Sequence, residues 1–182
     1  FNHGGIDSPG LFWAQYPVYL AGSDYYTDPL NPLTAEDPFG RNSVCRAYGY
    51  ERPIWTLPNS DARPGEVEAF TLHSGQLEGP REIHCYLPAR FRRNRRYPLL
   101  VVHDGLDYLK FASLKTVLDN LIHRLEIPPL IAALSNPRKR NREYAGHRAH
   151  AEHLTTELVP ELESRYPLIP GAAARAMDRR WR

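Results

Sequence analysis

The chain has 182 residues and a mass of 20.9 kDa, enough for one medium domain or for a small domain with part of a second. Its 42% hydrophobic and 24% charged residues exclude a collagen, a coiled coil and a fully disordered chain. The net charge of +2 is too small to imply a polyanionic partner by itself. No apolar run reaches the ~18 residues of a membrane helix, so we expect a soluble, cytoplasmic protein that does not bind membranes.

The first half of the chain is rich in proline, which disfavours helices there. Residues 12–20 are aromatic and β-branched with Pro17 among them, a pattern typical of an edge strand. Residues 28–40 consist largely of turn-forming residues and predict an ordered connector. Three apolar side chains of this connector are expected to be buried: Leu30, Leu33 and Phe39. The two cysteines, Cys45 and Cys85, are too few for a disulfide scaffold and are both predicted to be buried thiols.

The second half predicts strands first. Residues 67–74 and 81–87 alternate between apolar and polar side chains, as two strands of a hairpin do. Residues 97–102 form a short continuous apolar run, typical of a strand that is covered on both faces.

Helices and strands then alternate. Apolar residues at helical spacing predict a helix before Pro128: Leu114, Val117, Leu118, Leu121, Ile122 and Leu125. Residues 130–134 predict another strand, and residues 143–165 predict a second helix with a kink or an end at Pro160. The alternation predicts an α/β fold with a mostly parallel sheet and helices on its faces.

In such folds the chemistry lies in loops at the carboxyl ends of the strands. One candidate loop is residues 103–110, where Asp104-Gly105-Leu106 follows a buried strand and can offer backbone N–H groups to an anion. The alternative is a simple turn with Asp107 as a helix cap and His103 as a core histidine; position alone favours that alternative.

The other candidate loop, residues 135–142, is dense in cations: Arg138, Lys139, Arg140 and Arg142. It would attract a carboxylate, a phenolate or a nucleic-acid phosphate, or it could be a solvated loop with weak ion pairs. A second basic run lies at residues 90–96. The near-neutral total charge and the lack of a known binding motif argue against a nucleic-acid partner.

Three histidines recur on the second predicted helix at helical spacing: His147, His150 and His153. Two of them could share a metal ion with Glu143. We expect no metal site, because His147 continues the apolar stripe whereas His153 turns towards the polar face.

Taken together, residues 81–167 resemble the putative esterase family of α/β-hydrolases, typified by enterochelin (siderophore) esterases. The matching features are Tyr86-Leu87-Pro88, Asp104-Gly105, residues 118–122 with Ile127-Pro128-Pro129, Arg140 with Glu143-Tyr144, and residues 157–160. The resemblance implies an α/β-hydrolase fold and hydrolysis of a small-molecule ester through an acyl-enzyme, without a cofactor. It also implies that the backbone N–H groups of Gly105 and Leu106 stabilise the oxyanion and that Asp104, Arg140 and Glu143 contact the substrate.

The resemblance extends over about residues 25–170. Residues 28–40, with Ser43-Val44, are similar to the segment that leads out of the β-sandwich domain in front of the hydrolase domain. We therefore predict that residues 1–64 are the end of a β-rich domain with a proline-rich linker, and that residues 65–182 are the N-terminal portion of the esterase domain.

The expected nucleophile is missing from the sequence. None of the eight serines lies in a Gly-x-Ser-x-Gly elbow, although Arg175-Ala176-Met177 resembles the family's approach to it. We expect a chain truncated before the elbow, without the Ser, acid and His of the triad and without activity. The alternative is a non-catalytic binding module whose basic mouth holds an anion. An unpaired edge of the shortened sheet predicts self-association.

Overall fold

The computed structural model describes residues 27–77, 79–145 and 148–171, together with the backbone of two short strands, Leu11–Trp13 and Arg175–Met177. The chain divides into two compact units, Phe1–Ile54 and Trp55–Arg182.

The first unit contains a three-stranded antiparallel sheet with the order β1-β3-β2. Its strands are β1 (Leu11–Trp13), β2 (Thr34–Asp37) and β3 (Gly40–Arg46). The β2–β3 connection is a tight turn, in which the Asp37 side chain accepts the Phe39 N–H at 2.8 Å. Most of the predicted strand at residues 12–20 lies outside the described residues.

Several burial predictions for this unit are wrong. Leu30 and Phe39 are each 91% exposed and Leu33 is 38% exposed, because Leu30 lies in a turn capped by Asp28 and Phe39 lies at the tip of the β2–β3 hairpin. Cys45 is exposed as well, since it alternates along β3 with the buried Val44. The other thiol, Cys85, is buried as predicted.

The second unit is built on a five-stranded sheet with the order β4-β5-β7-β6-β8. Its strands are β4 (Glu66–His73), β5 (Pro80–Leu87), β6 (Leu99–His103), β7 (Ile131–Ser135) and β8 (Arg175–Met177). Strands β4 and β5 form the predicted hairpin, and β5 also pairs antiparallel with β7. Strand β6 pairs parallel with both β7 and β8. The predicted α/β architecture is confirmed, but the sheet is mixed rather than mostly parallel, because two of its four strand pairings are antiparallel.

Two short helices, α1 (Gly105–Phe111) and α2 (Leu114–His123), follow β6. Most of the predicted loop at residues 103–110 is therefore helix, because Asp104 adopts a left-handed conformation that turns the chain directly into α1. Asp104 holds the cap position, although its side chain makes no capping hydrogen bond to the helix, and Asp107 lies inside the first turn. The interpretation of Asp107 as the cap is therefore wrong.

The second predicted helix is a succession of helical segments: α3 (Arg140–Tyr144), α4 (Arg148–Glu152), a π-helical turn (His153–Leu158) and α5 (Val159–Arg165). It begins at Arg140, three residues before the predicted start. Pro160 does not end it: the proline lies in the first turn of α5, directly after the π-helical turn.

Alternate residues of the strands pack into two hydrophobic layers, one on each face of the sheet. On one face of the sheet, Ile83 and Cys85 pack with Leu158 and Leu162 of the last helical segments. On the other face, a second layer joins strand residues to α2: Tyr86, Val102, Leu134 and Leu118. The central strands are thus covered on both faces, as their continuous apolar runs predict.

The segment before β4 is tied to α2 by two buried polar side chains, a contact we call the α2 bracket. Asp119 accepts the Gly65 N–H at 2.7 Å and the Tyr86 hydroxyl at 2.8 Å. Asn120 donates to the carbonyl oxygens of Trp55 and Leu57, both at 2.8 Å. These bonds hold the segment before β4 against α2.

None of the helices within the described segments combines the length and the hydropathy that a membrane crossing requires.

Candidate active-site edge

The turn after β6 and the segment after β7 lie side by side at the carboxyl edge of the sheet. The parallel register pairs His103 with Ser135, so the residues that follow each strand leave the sheet next to each other. This is the edge at which α/β folds place their ligands. Residues of both predicted loops therefore lie next to each other at this edge.

The β6 turn presents a backbone donor to this edge. Gly105 is buried, and a Cβ atom there would lie 2.3 Å from the Leu134 Cβ, so that only glycine lets α1 start this close to β7. The next residue, Leu106, donates its N–H to the Asn136 side-chain oxygen at 3.1 Å in an exposed position. A carbonyl oxygen is thus held by an N–H of the kind that forms an oxyanion hole.

Two of the predicted substrate-binding residues meet at the same turn. The Arg140 guanidinium donates to the Asp104 carboxylate at 3.0 Å and lies 5.8 Å from the centre of the Tyr144 ring. The Tyr144 hydroxyl in turn accepts the Asp104 N–H at 3.2 Å. Helix α3 is thereby held against the turn that carries Gly105 and Leu106, and Arg140 is partly exposed there.

Glu143 has a different environment. It is 8% exposed and receives the Arg81 guanidinium at 3.0 Å, together with the backbone N–H groups of Arg138 and Lys139 at 3.0 Å each. Burial raises the pKa of Glu143, but the N–H of Lys139, the Arg81 guanidinium and the N–H of Arg138 more than reverse this, so the pKa lies below its usual value. Glu143 therefore fixes the basic segment before α3 to β5, through a partner that the sequence did not reveal.

An aromatic cluster underlies the edge. The rings of His103, Tyr144 and His150 lie with their centroids 5.0 to 5.2 Å apart. Burial, and secondarily the nearby His103, lower the pKa of His150 to about 4, so this imidazole is neutral at neutral pH. The segments that the structure describes contain no group of three or more side chains suited to holding a metal ion. His147 of the predicted histidine stripe lies outside them.

Comparison with known proteins identifies the family of the chain. The model of the family described as "Putative esterase" matches residues 74–176, which is more than half of the chain. This chain belongs to the putative esterase family. No curated protein matches the sequence.

Solved structures of esterases share the fold of this esterase-family chain. The enterobactin esterase of Shigella flexneri is 22% identical with a TM-score of 0.66, over 82% of this chain and 39% of that one. The ferric enterobactin esterase of Salmonella typhimurium is 20% identical with a TM-score of 0.67, over 83% and 39%. A ferulic acid esterase of Anaeromyces mucronatus is 19% identical with a TM-score of 0.59, over 69% and 53%. The chain spans about two fifths of the length of the enterobactin esterases.

In this esterase-family chain a serine, a histidine and a carboxylate do meet, away from the β6 turn. The Glu157 carboxylate accepts the Ser74 hydroxyl at 2.5 Å and the N–H groups of Gly75 and Gln76 at 2.8 and 3.1 Å. It also lies 2.8 Å from Nδ1 of His153, and the same Nδ1 lies 3.1 Å from the Ser74 hydroxyl. In a catalytic triad the imidazole lies between the serine and the acid and contacts each through a different ring nitrogen. Here Ser74 and Glu157 contact the same nitrogen of His153 and also bond directly to each other, so the arrangement is not a triad. We call this contact the Glu157 clamp.

The clamp corrects one prediction. His153 does not turn towards a polar face: it is 3% exposed. The β4–β5 loop covers that face of the helix, and the i, i+4 carboxylate of Glu157 supplies the ring with a polar partner. The spacing of His153 and Glu157 was visible in the sequence, whereas the loop contact joins residues 79 positions apart.

Proposed function

We propose that this chain forms the oxyanion side of a carboxylic ester hydrolase site whose substrate is a small-molecule ester. The observation that carries the proposal is the Leu106 N–H, which already holds a carbonyl oxygen, that of Asn136, in the turn after β6. An ester carbonyl would replace the Asn136 amide there. As a nucleophile attacks that carbonyl, the N–H groups of Gly105 and Leu106 would stabilise the negative charge that develops on its oxygen.

The predicted substrate contacts receive distinct roles in this proposal. Arg140, held by Asp104 and lying over Tyr144, would present its guanidinium to the acyl or alcohol part of the ester at the rim. Asp104 would orient Arg140. Glu143 would keep the basic segment in place through Arg81.

We also propose that the 182 residues do not hydrolyse esters by themselves. Acyl-enzyme chemistry needs a serine activated by an imidazole, and the sequence contains no Gly-x-Ser-x-Gly elbow. The serine of the Glu157 clamp does not replace it, because its hydroxyl donates to the carboxylate at 2.5 Å.

The proposal also covers the organisation of the chain. Residues 1–64 would be the end of a β-sandwich domain with a proline-rich linker, and residues 65–182 the N-terminal portion of the esterase domain. The antiparallel sheet β1-β3-β2 supports a β-rich first part.

The test is hydrolysis of p-nitrophenyl acetate and butyrate, with and without a serine-directed fluorophosphonate, followed by intact mass. We expect neither turnover nor labelling. Covalent labelling with inhibited turnover would show that an unrecognised serine is active and would overturn the inactivity. A matched variant, Leu106→Pro, removes the proposed backbone donor. If hydrolysis occurs and this variant retains the full rate, the oxyanion role is wrong.

A second candidate function is a non-catalytic module that binds an anion. The observation that favours it is a cavity of about 190 Å³ whose lining includes Arg81, Arg138, Lys139 and Arg142.

A further inference from the structure

We propose that a cavity at the amino edge of the five-stranded sheet binds a small carboxylate that carries an apolar body. The cavity lies between residues 93–96, which lead into β6, and residues 166–170, which follow α5. The inference goes beyond the proposed function, and it depends neither on ester hydrolysis nor on the cations at residues 138–142. It rests on the size of the cavity, on two guanidinium groups in its lining and on its apolar surface.

The cavity lies at the end of the sheet opposite the candidate active-site edge. Its two segments precede β6 and β8, which are parallel, so they meet where both strands begin. An isolated bridge pairs Tyr97 with Leu168, and the Ile169 N–H donates to the Tyr97 carbonyl at 2.9 Å. The turn with Gly105 and Leu106 follows the other end of β6. A ligand in the cavity therefore leaves that turn open.

The size and the apolar lining of the cavity suit an organic ligand. Its volume is about 580 Å³, within the range of ~300–1,000 Å³ that is typical of small-molecule sites. Pro167, Leu168 and Pro170 line it, together with Tyr166. Such surfaces gain free energy by packing against an aliphatic or aromatic group, which an inorganic ion does not have.

Two exposed arginines give the cavity its positive charge. Arg93 donates through Nη1 to the Arg165 carbonyl at 3.2 Å, and Arg96 donates through Nη1 to the Leu168 carbonyl at 3.0 Å. Both acceptors are uncharged, so these bonds do not neutralise the guanidinium groups. The lining contains one carboxylate, Glu163, which has an interaction of its own. Because the two arginines outnumber Glu163, the lining attracts an anion of a single charge.

The same bonds orient the guanidinium groups before a ligand arrives. Each bond uses one terminal nitrogen, and a planar guanidinium binds a carboxylate through paired N–H donors. The loop that carries the arginines is held as well. The Arg92 N–H donates to the hydroxyl of the buried Tyr97 at 2.9 Å, and the Arg95 N–H donates to the Arg92 carbonyl at 3.1 Å. A preorganised site loses less entropy on binding.

The experiment is calorimetric titration of the full chain with 2-naphthoate at constant ionic strength. Two comparators divide this probe into its parts: 2-naphthamide keeps the rings without the charge, and acetate keeps the carboxylate without the rings. We expect saturable binding of 2-naphthoate. Either comparator should bind about tenfold more weakly or worse, because each one matches only one part of the lining.

Variants of a single loop separate a built site from general charge. Arg93→Gln/Arg96→Gln removes both guanidinium groups of the lining and should weaken 2-naphthoate binding about tenfold or more. Arg90→Gln/Arg92→Gln removes the same charge from exposed positions outside the lining and should leave the affinity unchanged. Asn94→Glu keeps both arginines but adds a carboxylate to the lining, so it should also weaken binding. This variant keeps the two carbonyl contacts and tests the site even if their loss unfolds the loop.

Three results would each overturn the proposal. The first is no saturable binding of 2-naphthoate by the original chain. The second is a loss of affinity in Arg93→Gln/Arg96→Gln that does not exceed the loss in Arg90→Gln/Arg92→Gln. The third is binding of 2-naphthamide or acetate as tight as that of 2-naphthoate. None of these results bears on ester hydrolysis, and a failed esterase assay leaves the titration unaffected.

Discussion

Replacing Glu157 by glutamine tests how much the Glu157 clamp stabilises the second unit. The carboxylate accepts bonds from Ser74, His153 and two backbone N–H groups while its side chain is only 18% exposed. Glu157→Gln keeps the size of the side chain and one carbonyl oxygen, but it removes the charge and replaces the other acceptor by a donor.

The magnitude follows from proton linkage. Burial raises the pKa of Glu157, but the hydrogen bonds from Ser74, His153 and the backbone N–H groups outweigh burial and bring it from 4.5 to about 2. Since each pKa unit is worth about 1.4 kcal/mol, the charged clamp contributes roughly 3 kcal/mol to the free energy of unfolding. Because the pKa of Glu157 is lower in the folded state, its ionised carboxylate stabilises that state fully above about pH 4.5. This stabilisation is lost as the pH falls towards about 2. At about pH 3, about 2 kcal/mol should be gone.

The assay is urea-induced unfolding of the original chain and of Glu157→Gln, followed by far-UV circular dichroism at about pH 7 and about pH 3. We expect the free energies of unfolding of the two proteins to differ by about 2 to 3 kcal/mol at neutral pH, and this difference to shrink by about 2 kcal/mol at the acidic pH. The other carboxylates titrate in both proteins, so their contributions cancel in this difference. Glu161→Gln is the matched control, because Glu161 forms a half-exposed pair with Arg165 that is worth about 1 kcal/mol or less. A difference that does not change with pH would refute the reasoning.

Three further predictions concern the sheet and its edge. Gly105→Ala should cost about 1 to 3 kcal/mol through the clash with Leu134, and an unchanged thermal midpoint would contradict this. Arg81→Ala should cost about 3 to 5 kcal/mol, because it leaves the Glu143 charge buried without its partner, whereas Arg81→Met with Glu143→Leu should recover most of the loss in the same urea titration. Strand β8 is one of the two edge strands of the described sheet, so we expect oligomers in light scattering; a sharp monomer peak would exclude self-association.

The sequence was sufficient to predict the strands and the helix in which buried residues recur at regular spacing. Strands β4 to β7 and helix α2 were recognisable because alternate or i, i+3, i+4 residues enter the two hydrophobic layers. Apolar character alone misled at Leu30 and Phe39, where local turns decide exposure. Periodicity describes one element at a time and contains no information about what another element covers.

The candidate site shows the same division. Resemblance to the family predicted Asp104 and Arg140 as substrate contacts, and in the structure the two residues form an ion pair. The partner of Glu143 was not predictable, because Arg81 lies 62 residues away in the sequence, on β5. Likewise, the orientation of His153 depends on a loop that folds over it from the β4–β5 hairpin.

The α2 bracket has a consequence for dividing the chain. A fragment that began at residue 65 would retain the whole five-stranded sheet, yet Asn120, which is 2% exposed in the full chain, would lose both of its carbonyl acceptors. Residues 55–64 therefore act as a strap that completes the hydrogen bonding of the second unit. The smallest piece expected to fold independently starts at Trp55, where the second compact unit also begins.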